Sequence, residues 1–181
     1  MNTQKKMYLP VQMSQLEIDC ILKYIKQKPD GTMIEWGSGG STLYYSQFVK
    51  RYYSIEHNSE WFLKVFDIIH HENLTNIDFC FTRPNIYHEG FEGRDTPYKE
   101  YEDYIEAISN YDLKNIDFAL IDGRARIHCA ERLADIINHD TIVFFHDFYR
   151  PLRTHYKKIL DIYKIIESIP GEQSLAVLQL R

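Results

Sequence analysis

The chain reads as an α/β protein: a mostly parallel sheet covered by helices on both faces and closed at its C-terminal edge by an antiparallel hairpin. Three observations carry this. Short apolar runs of strand length alternate with segments of helical apolar spacing along most of the sequence. Polar or acidic residues stand directly after five of the runs. The last two runs, Tyr163 to Ile169 and Ser174 to Leu180, are separated only by a short segment that begins Pro170-Gly171.

The elements follow in order. Ser14-x-x-Glu17 is a capping-box pattern, and Ile18, Ile21, Leu22 and Ile25 then recur at helical spacing until Pro29-Asp30-Gly31. Residues 1–31 are thus expected to form a helical N-terminal extension. Met33 to Trp36 is a buried strand ending in Gly37-Ser38-Gly39-Gly40, after which Ser41 or Thr42 opens an amphipathic helix through Val49. Arg51 to Glu56 is rich in β-forming residues, and Asn58 caps a helix whose apolar face carries Trp61, Phe62, Val65, Ile68 and Ile69. Asn76 to Thr82 is the third strand.

Periodicity then fails between residues 83 and 97, where Pro84, Gly90, Gly93 and Pro97 punctuate a polar stretch. A loop of this length in a compact domain fits a lid or substrate-binding wall as well as it fits a mobile insertion. Helical spacing resumes at Tyr98, Tyr101, Tyr104, Ile105 and Ile108. Ile116 to Ile121 is the fourth strand and runs into Asp122-Gly123-Arg124-Ala125-Arg126. A helix carrying Ile127, Ala130, Leu133, Ala134 and Ile137 leads to the fifth strand, Thr141 to Phe145, and to His146-Asp147. Pro151 opens one more helix before the hairpin.

Composition narrows the function. A length of 181 residues suits one domain with its own core. The net charge is −5 and the cations form no long block, which removes the electrostatic footprint of a nucleic-acid binder. No apolar stretch reaches membrane-spanning length. Cys20, Cys80 and Cys129 lie far apart within apolar patterns, as buried reduced thiols do, so a soluble cytoplasmic protein is expected.

In an open α/β sheet a ligand lies outside the carboxyl ends of the strands. Those ends carry Glu35 with the glycine turn, Glu56-His57, Thr82-Arg83, Asp122-Gly123-Arg124 and His146-Asp147. Glycines let backbone approach a ligand closely, and the N–H groups of the next helix face the same place. Gly37-x-Gly39 lacks the third glycine of the dinucleotide fingerprint, since Gly40 comes too early. Glu56 follows Gly37 by about twenty residues, the interval at which such sheets offer a carboxylate to ribose hydroxyls.

Glu35-x-Gly37-x-Gly39, Glu56 and the closing hairpin together resemble the class I S-adenosylmethionine (SAM) methyltransferases, whose seven-stranded sheet has an antiparallel last strand. The resemblance covers Thr32 to Leu180. It implies SAM as cofactor, bound by Glu35, Gly37, Ser38, Gly39, Ser41, Thr42, Glu56, His57, Arg83 and Asp122. It also implies O-methylation of a small polar acceptor, and the motifs E-W-G-S-G-G-S-T, I-D-G-R-A-R and F-F-H-D are similar to small methyltransferase-like domains in bacterial and large-virus proteins, some associated with glycan synthesis. A sugar hydroxyl is therefore favoured over a phenol.

Two catalytic arrangements stay open within the resemblance. In one, no metal takes part: His146 is the general base with Asp147 orienting it, or Asp122 is the base, with Arg124 orienting that acid or binding an acceptor oxygen. In the other, Asp122 and Asp147, with or without His146, hold a divalent cation such as Mg²⁺, as acids at these strand ends do in metal-dependent O-methyltransferases, although this chain has His-Asp where those have Asp-Asn. An aminopropyltransferase on the same fold and a non-catalytic SAM- or nucleotide-binding module are the alternative functions.

Overall fold

The computed structural model describes residues 6, 8–86, 96–111 and 115–181. Seven strands form one sheet: β1 (Thr32–Trp36), β2 (Arg51–Glu56), β3 (Ile77–Phe81), β4 (Phe118–Ile121), β5 (Ile142–His146), β6 (Tyr163–Ile169) and β7 (Leu175–Leu180). Their spatial order is β3-β2-β1-β4-β5-β7-β6. The first five run parallel, and β7 lies antiparallel between β5 and β6. The order reverses between β1 and β4, which makes that gap the switch point where an open sheet parts its loops.

Five α-helices accompany the sheet: α1 (Gln15–Ile25), α2 (Gly40–Tyr45), α3 (Ser59–His71), α4 (Glu102–Glu106) and α5 (Arg126–Ala134). Two apolar clusters form the core, one on each face. Alternation along the central strands divides them: Ile34, Trp36, Ala119, Ile121 and Phe145 enter one cluster, while Met33, Phe118, Leu120 and Phe144 enter the other with α1. Central strands covered on both faces read as continuous apolar runs, which is why they were legible.

Several elements differ from their expected form. α2 starts at Gly40 and gives way at Ser46 to a 3₁₀ turn ending at Phe48. The single helix expected from Tyr98 is broken into a 3₁₀ turn (Tyr98–Glu100), α4, and another 3₁₀ turn (Ala107–Asn110). The apolar spacing was sound, since Tyr104, Ile105 and Ile108 are buried, but the Tyr104 carbonyl accepts from Trp36 Nε1 at 3.1 Å. The segment opened by Pro151 is 3₁₀ through Asp161, with a kink at Arg153 (φ −115°, ψ 29°). On α3 only Val65 is fully buried, because this helix covers the β2–β3 edge, where little of the core extends beneath it. Cys20 and Cys129 are buried and Cys80 partly so, and all three are free thiols. No helix among the described residues is long and apolar enough to cross a membrane. Of the stretch 83–97, residues 87–95, with His88 and Glu89, lie outside the described residues.

Candidate functional site

A cavity of about 770 Å³ opens at the carboxyl ends of β1, β2, β4 and β5. This is within the roughly 300–1,000 Å³ of small-molecule sites. Of the expected residues, Gly37, Ser38, Gly39, Ser41, Glu56, His57, Asp122, Arg124 and Asp147 line it. Glu35, Thr42, Arg83 and His146 do not.

The β1 turn is built for close backbone approach. Gly37 has φ +96°, and a Cβ there would stand 2.5 Å from Gly123 N in the loop after β4. Beneath the turn, Glu35 is completely buried. It accepts from Ser41 and Thr42 hydroxyls at the start of α2 and from Ser54 Oγ at 3.1 Å. Thr42 Oγ1 in turn accepts from Gly39 N at 2.9 Å. Glu35 therefore fixes the turn from below and does not reach the cavity, which corrects its expected contact with cofactor. Thr42 is buried in the same bracing. Burial pushes the Glu35 carboxyl up to about 7, against the three hydroxyl donors and with help from the Asp122 charge.

Glu56 is buried at the end of β2 and belongs to the cavity wall. Its Oε1 accepts from the backbone N–H of His57 at 2.9 Å and of Asn58 at 2.7 Å, and Oε2 accepts from Ser38 N at 2.8 Å. A carboxylate has about four acceptor sites, so one remains, on Oε2. Glu56 thus ties the β1 and β2 turns together and keeps one acceptor position for a ligand. His57 Nδ1 lies 3.1 Å from Glu56 Oε1, with the ring edge-on to Tyr101 and Tyr104. Trp61, from α3, donates its indole N–H to the Ser38 carbonyl and closes the side of the turn. Arg83 is exposed beyond β3.

The opposite wall is an ion-pair network centred on Arg126. Its Nε donates to Gly123 O at 2.9 Å, NH1 to His146 O at 2.6 Å and Asp147 Oδ2 at 3.0 Å, and NH2 to Asp122 O at 3.0 Å. NH2 also lies 3.1 Å from Asp122 Oδ1. Arg150 Nε lies 2.7 Å from Asp147 Oδ1. Sequence reasoning singled out Arg124 and passed over Arg126. The available signal was that two acids at adjacent strand ends require a buried counter-cation, and Arg126 stands four residues after Asp122, at the start of α5. Ala125 (φ 49°) and Asp147 (φ 61°) line this wall in left-handed conformations, strain of the kind that collects at functional sites.

His146 lies behind the wall, 3% exposed. Its Nδ1 is 2.7 Å from Asp122 Oδ1, and its Nε2 faces Glu17 Oε1 of α1 at 3.5 Å. Burial would lower its pKa, but the charge and hydrogen bond of Asp122 and the facing Glu17 carboxylate raise it to about 9. Buried behind the wall and outside the cavity lining, His146 does not face the space a substrate hydroxyl would occupy, which counts against its expected role as general base. The same network tests the metal arrangement. Asp122, His146 and Asp147 offer ligand atoms within 4.8 Å of one another. Yet Asp122 Oδ1 is held by both Arg126 and His146, and Arg126 also holds Asp147. A divalent cation there would abut a guanidinium and an imidazolium, so these residues do not fit one as arranged.

Strand order 3-2-1-4-5-7-6, the glycine turn after β1 and the buried acid after β2 define the class I SAM-dependent methyltransferase fold. Solved structures of that fold superpose over almost the whole chain. A methyltransferase-like protein from Silicibacter pomeroyi is 18% identical over 97% of this chain and 91% of its own, with a TM-score of 0.67. A candidate methyltransferase from Streptococcus mutans in complex with S-adenosylhomocysteine (SAH) is 12% identical over 93% of this chain and 100% of its own, TM-score 0.65. An rRNA methylase from Streptococcus thermophilus is 9% identical over 93% of this chain and 98% of its own, TM-score 0.64. No protein-family model matches the chain, and no curated protein matches it in sequence.

Proposed function

We propose that this protein is a SAM-dependent O-methyltransferase acting on a hydroxyl of a small polar acceptor, a sugar hydroxyl before a phenolic one. The carrying observation is the pairing, in one cavity, of the Glu56-braced glycine turn with the Asp122 wall across the switch point. The turn suits SAM: Gly37, Ser38, Gly39 and Gly40 line the cavity, and Glu56 Oε2 retains an acceptor site for a ribose hydroxyl. When bound, SAM supplies a methyl group made electrophilic by the sulfonium. Asp122, lining the cavity and with Oδ1 anchored by Arg126 and His146, presents Oδ2 as the acceptor for the hydroxyl proton. His146 and Arg126 hold that carboxylate in place. The three free thiols accord with a cytoplasmic setting.

The pairing of Arg126 with Asp122 and Asp147 favours a second reading, a SAM-binding module without catalysis, because a wall held together by its own ion pairs serves binding as well as chemistry. The same pairing weakens the aminopropyltransferase alternative, in which paired aspartates must take up an amine. Calorimetric titration with SAM and SAH tests the cofactor, and an acceptor screen with radiolabelled SAM tests transfer. Absence of heat with either adenosyl compound removes the reading; binding without transfer to any sugar or phenol leaves the module.

A further inference from the structure

The segment ahead of α1 reaches the cavity at Gln12. Val11 and Met13 on either side of it are buried, and Tyr45 Oη donates to Met13 Sδ at 3.6 Å. Two buried anchors leave the side chain between them turned outward, and Gln12 is exposed where it lines the cavity. The segment is seated on the start of α2, where a Cβ on Gly40 would run into the Pro10 carbonyl. Among the described residues the Gln12 side-chain amide has no hydrogen-bond partner. The glycine turn beside it has little left to donate. Gly37 N donates to Ile55 O at 3.0 Å, Ser38 N to Glu56 Oε2 at 2.8 Å and Gly39 N to Thr42 Oγ1 at 2.9 Å. A carboxylate brought to this turn finds those three N–H groups already used, so a side chain has to supply a donor. A primary amide donates and accepts at once, which suits a group carrying both an ammonium and a carboxylate.

Resting on the SAM reading, we infer that Gln12 contacts the zwitterionic amino-acid end of the cofactor, so that the segment before α1 completes the binding site. With the ribose on Glu56 and the sulfonium facing Asp122, that end is left for the side of the turn where α2 begins, which the Gln12 segment covers. Gln12 is then the residue by which the site distinguishes SAM and SAH from an adenosine thioether that lacks the amino acid.

The test is titration calorimetry on the full chain with two ligands: SAH, and 5′-methylthioadenosine, which keeps the nucleoside and the sulfur but ends in a methyl group. SAH should bind the wild type at least about tenfold more tightly than methylthioadenosine. Gln12→Ala, at an exposed position, should weaken SAH about tenfold and leave the methylthioadenosine dissociation constant unchanged. Equal loss of affinity for both ligands would make Gln12 a brace for its segment, and unchanged SAH affinity would remove it from the site. Either result overturns the inference, as does equal binding of the two ligands by the wild type. Failure of SAH to bind the wild type is a different outcome, which condemns the cofactor reading itself.

Discussion

Glu17 caps α1 with one carboxylate oxygen and faces His146 with the other. Oε2 accepts from Ser14 N at 2.7 Å, and Oε1 lies 3.5 Å from His146 Nε2. Both residues are buried, and His146 passes the contact on to Asp122 in the cavity wall. The N-terminal helix is thereby linked to the site through one imidazolium. Glu17→Gln keeps the cap but removes the charge, so it should destabilise the protein by about 1–3 kcal/mol at neutral pH, read from urea midpoints. It should also lower the His146 pKa, followed by NMR of the ring. An unmoved ring titration would mean the contact carries no charge coupling.

Stability should fall as pH rises. His146 is raised from an ordinary 6.5 to about 9, so its contribution is full below 6.5 and is lost as pH climbs through 9. Glu35 is an acid raised from 4.5 to about 7, so the native state binds its proton more tightly, and that contribution is present below 4.5 and lost through 7. Chemical denaturation at pH 5, 7 and 9 should give a continuous decline, with His146→Gln flattening the alkaline part and Glu35→Gln the acidic-to-neutral part. A wild-type profile rising from pH 5 to 9 contradicts both assignments.

Glu56→Gln should weaken SAM binding by about tenfold or more, since the amide cannot serve all of Ser38, His57, Asn58 and a ribose hydroxyl as acceptor. Circular dichroism should show the fold retained, and titration calorimetry gives the affinity. An unaltered dissociation constant would reduce Glu56 to a brace between turns.

Gly39 is extended at φ 172°, and a Cβ there would first meet the Trp61 ring, at 3.3 Å. Gly39→Val should therefore fold while crowding the turn and abolishing SAM binding. Gly37→Ala, at φ +96° and against Gly123 backbone, should lose stability by more than about 1 kcal/mol, measured by thermal melts. Equal melting of both variants would show that the turn tolerates bulk throughout.

How much of this was legible depended on range. The strands and their order of appearance were readable because burial on both faces leaves an unbroken apolar run, and Glu56 because its interval from Gly37 is a property of the fold. Glu17 was legible as a cap only: the local pattern accounts for one oxygen, and the partner of the other comes from a strand near the far end of the chain. Arg126 was hidden beside Arg124, since the left-handed Ala125 between them decides which guanidinium turns into the acids, and nothing in R-A-R announces that turn. Glu35 looked like a ligand because sequence places it at a strand end, whereas alternation points it into the protein, against Ser41, Thr42 and Ser54.

The contact between the β1 and β4 turns sets a rule for altering this protein. A side chain on Gly37 would collide with Gly123, and one on Gly123 would run into Tyr104 Oη and stand 3.0 Å from Gly37 N. The two glycines behave as a single joint in which neither half can be exchanged alone. Libraries aimed at a new acceptor should leave this joint, with Tyr104 behind it, invariant and spend their diversity on the rim.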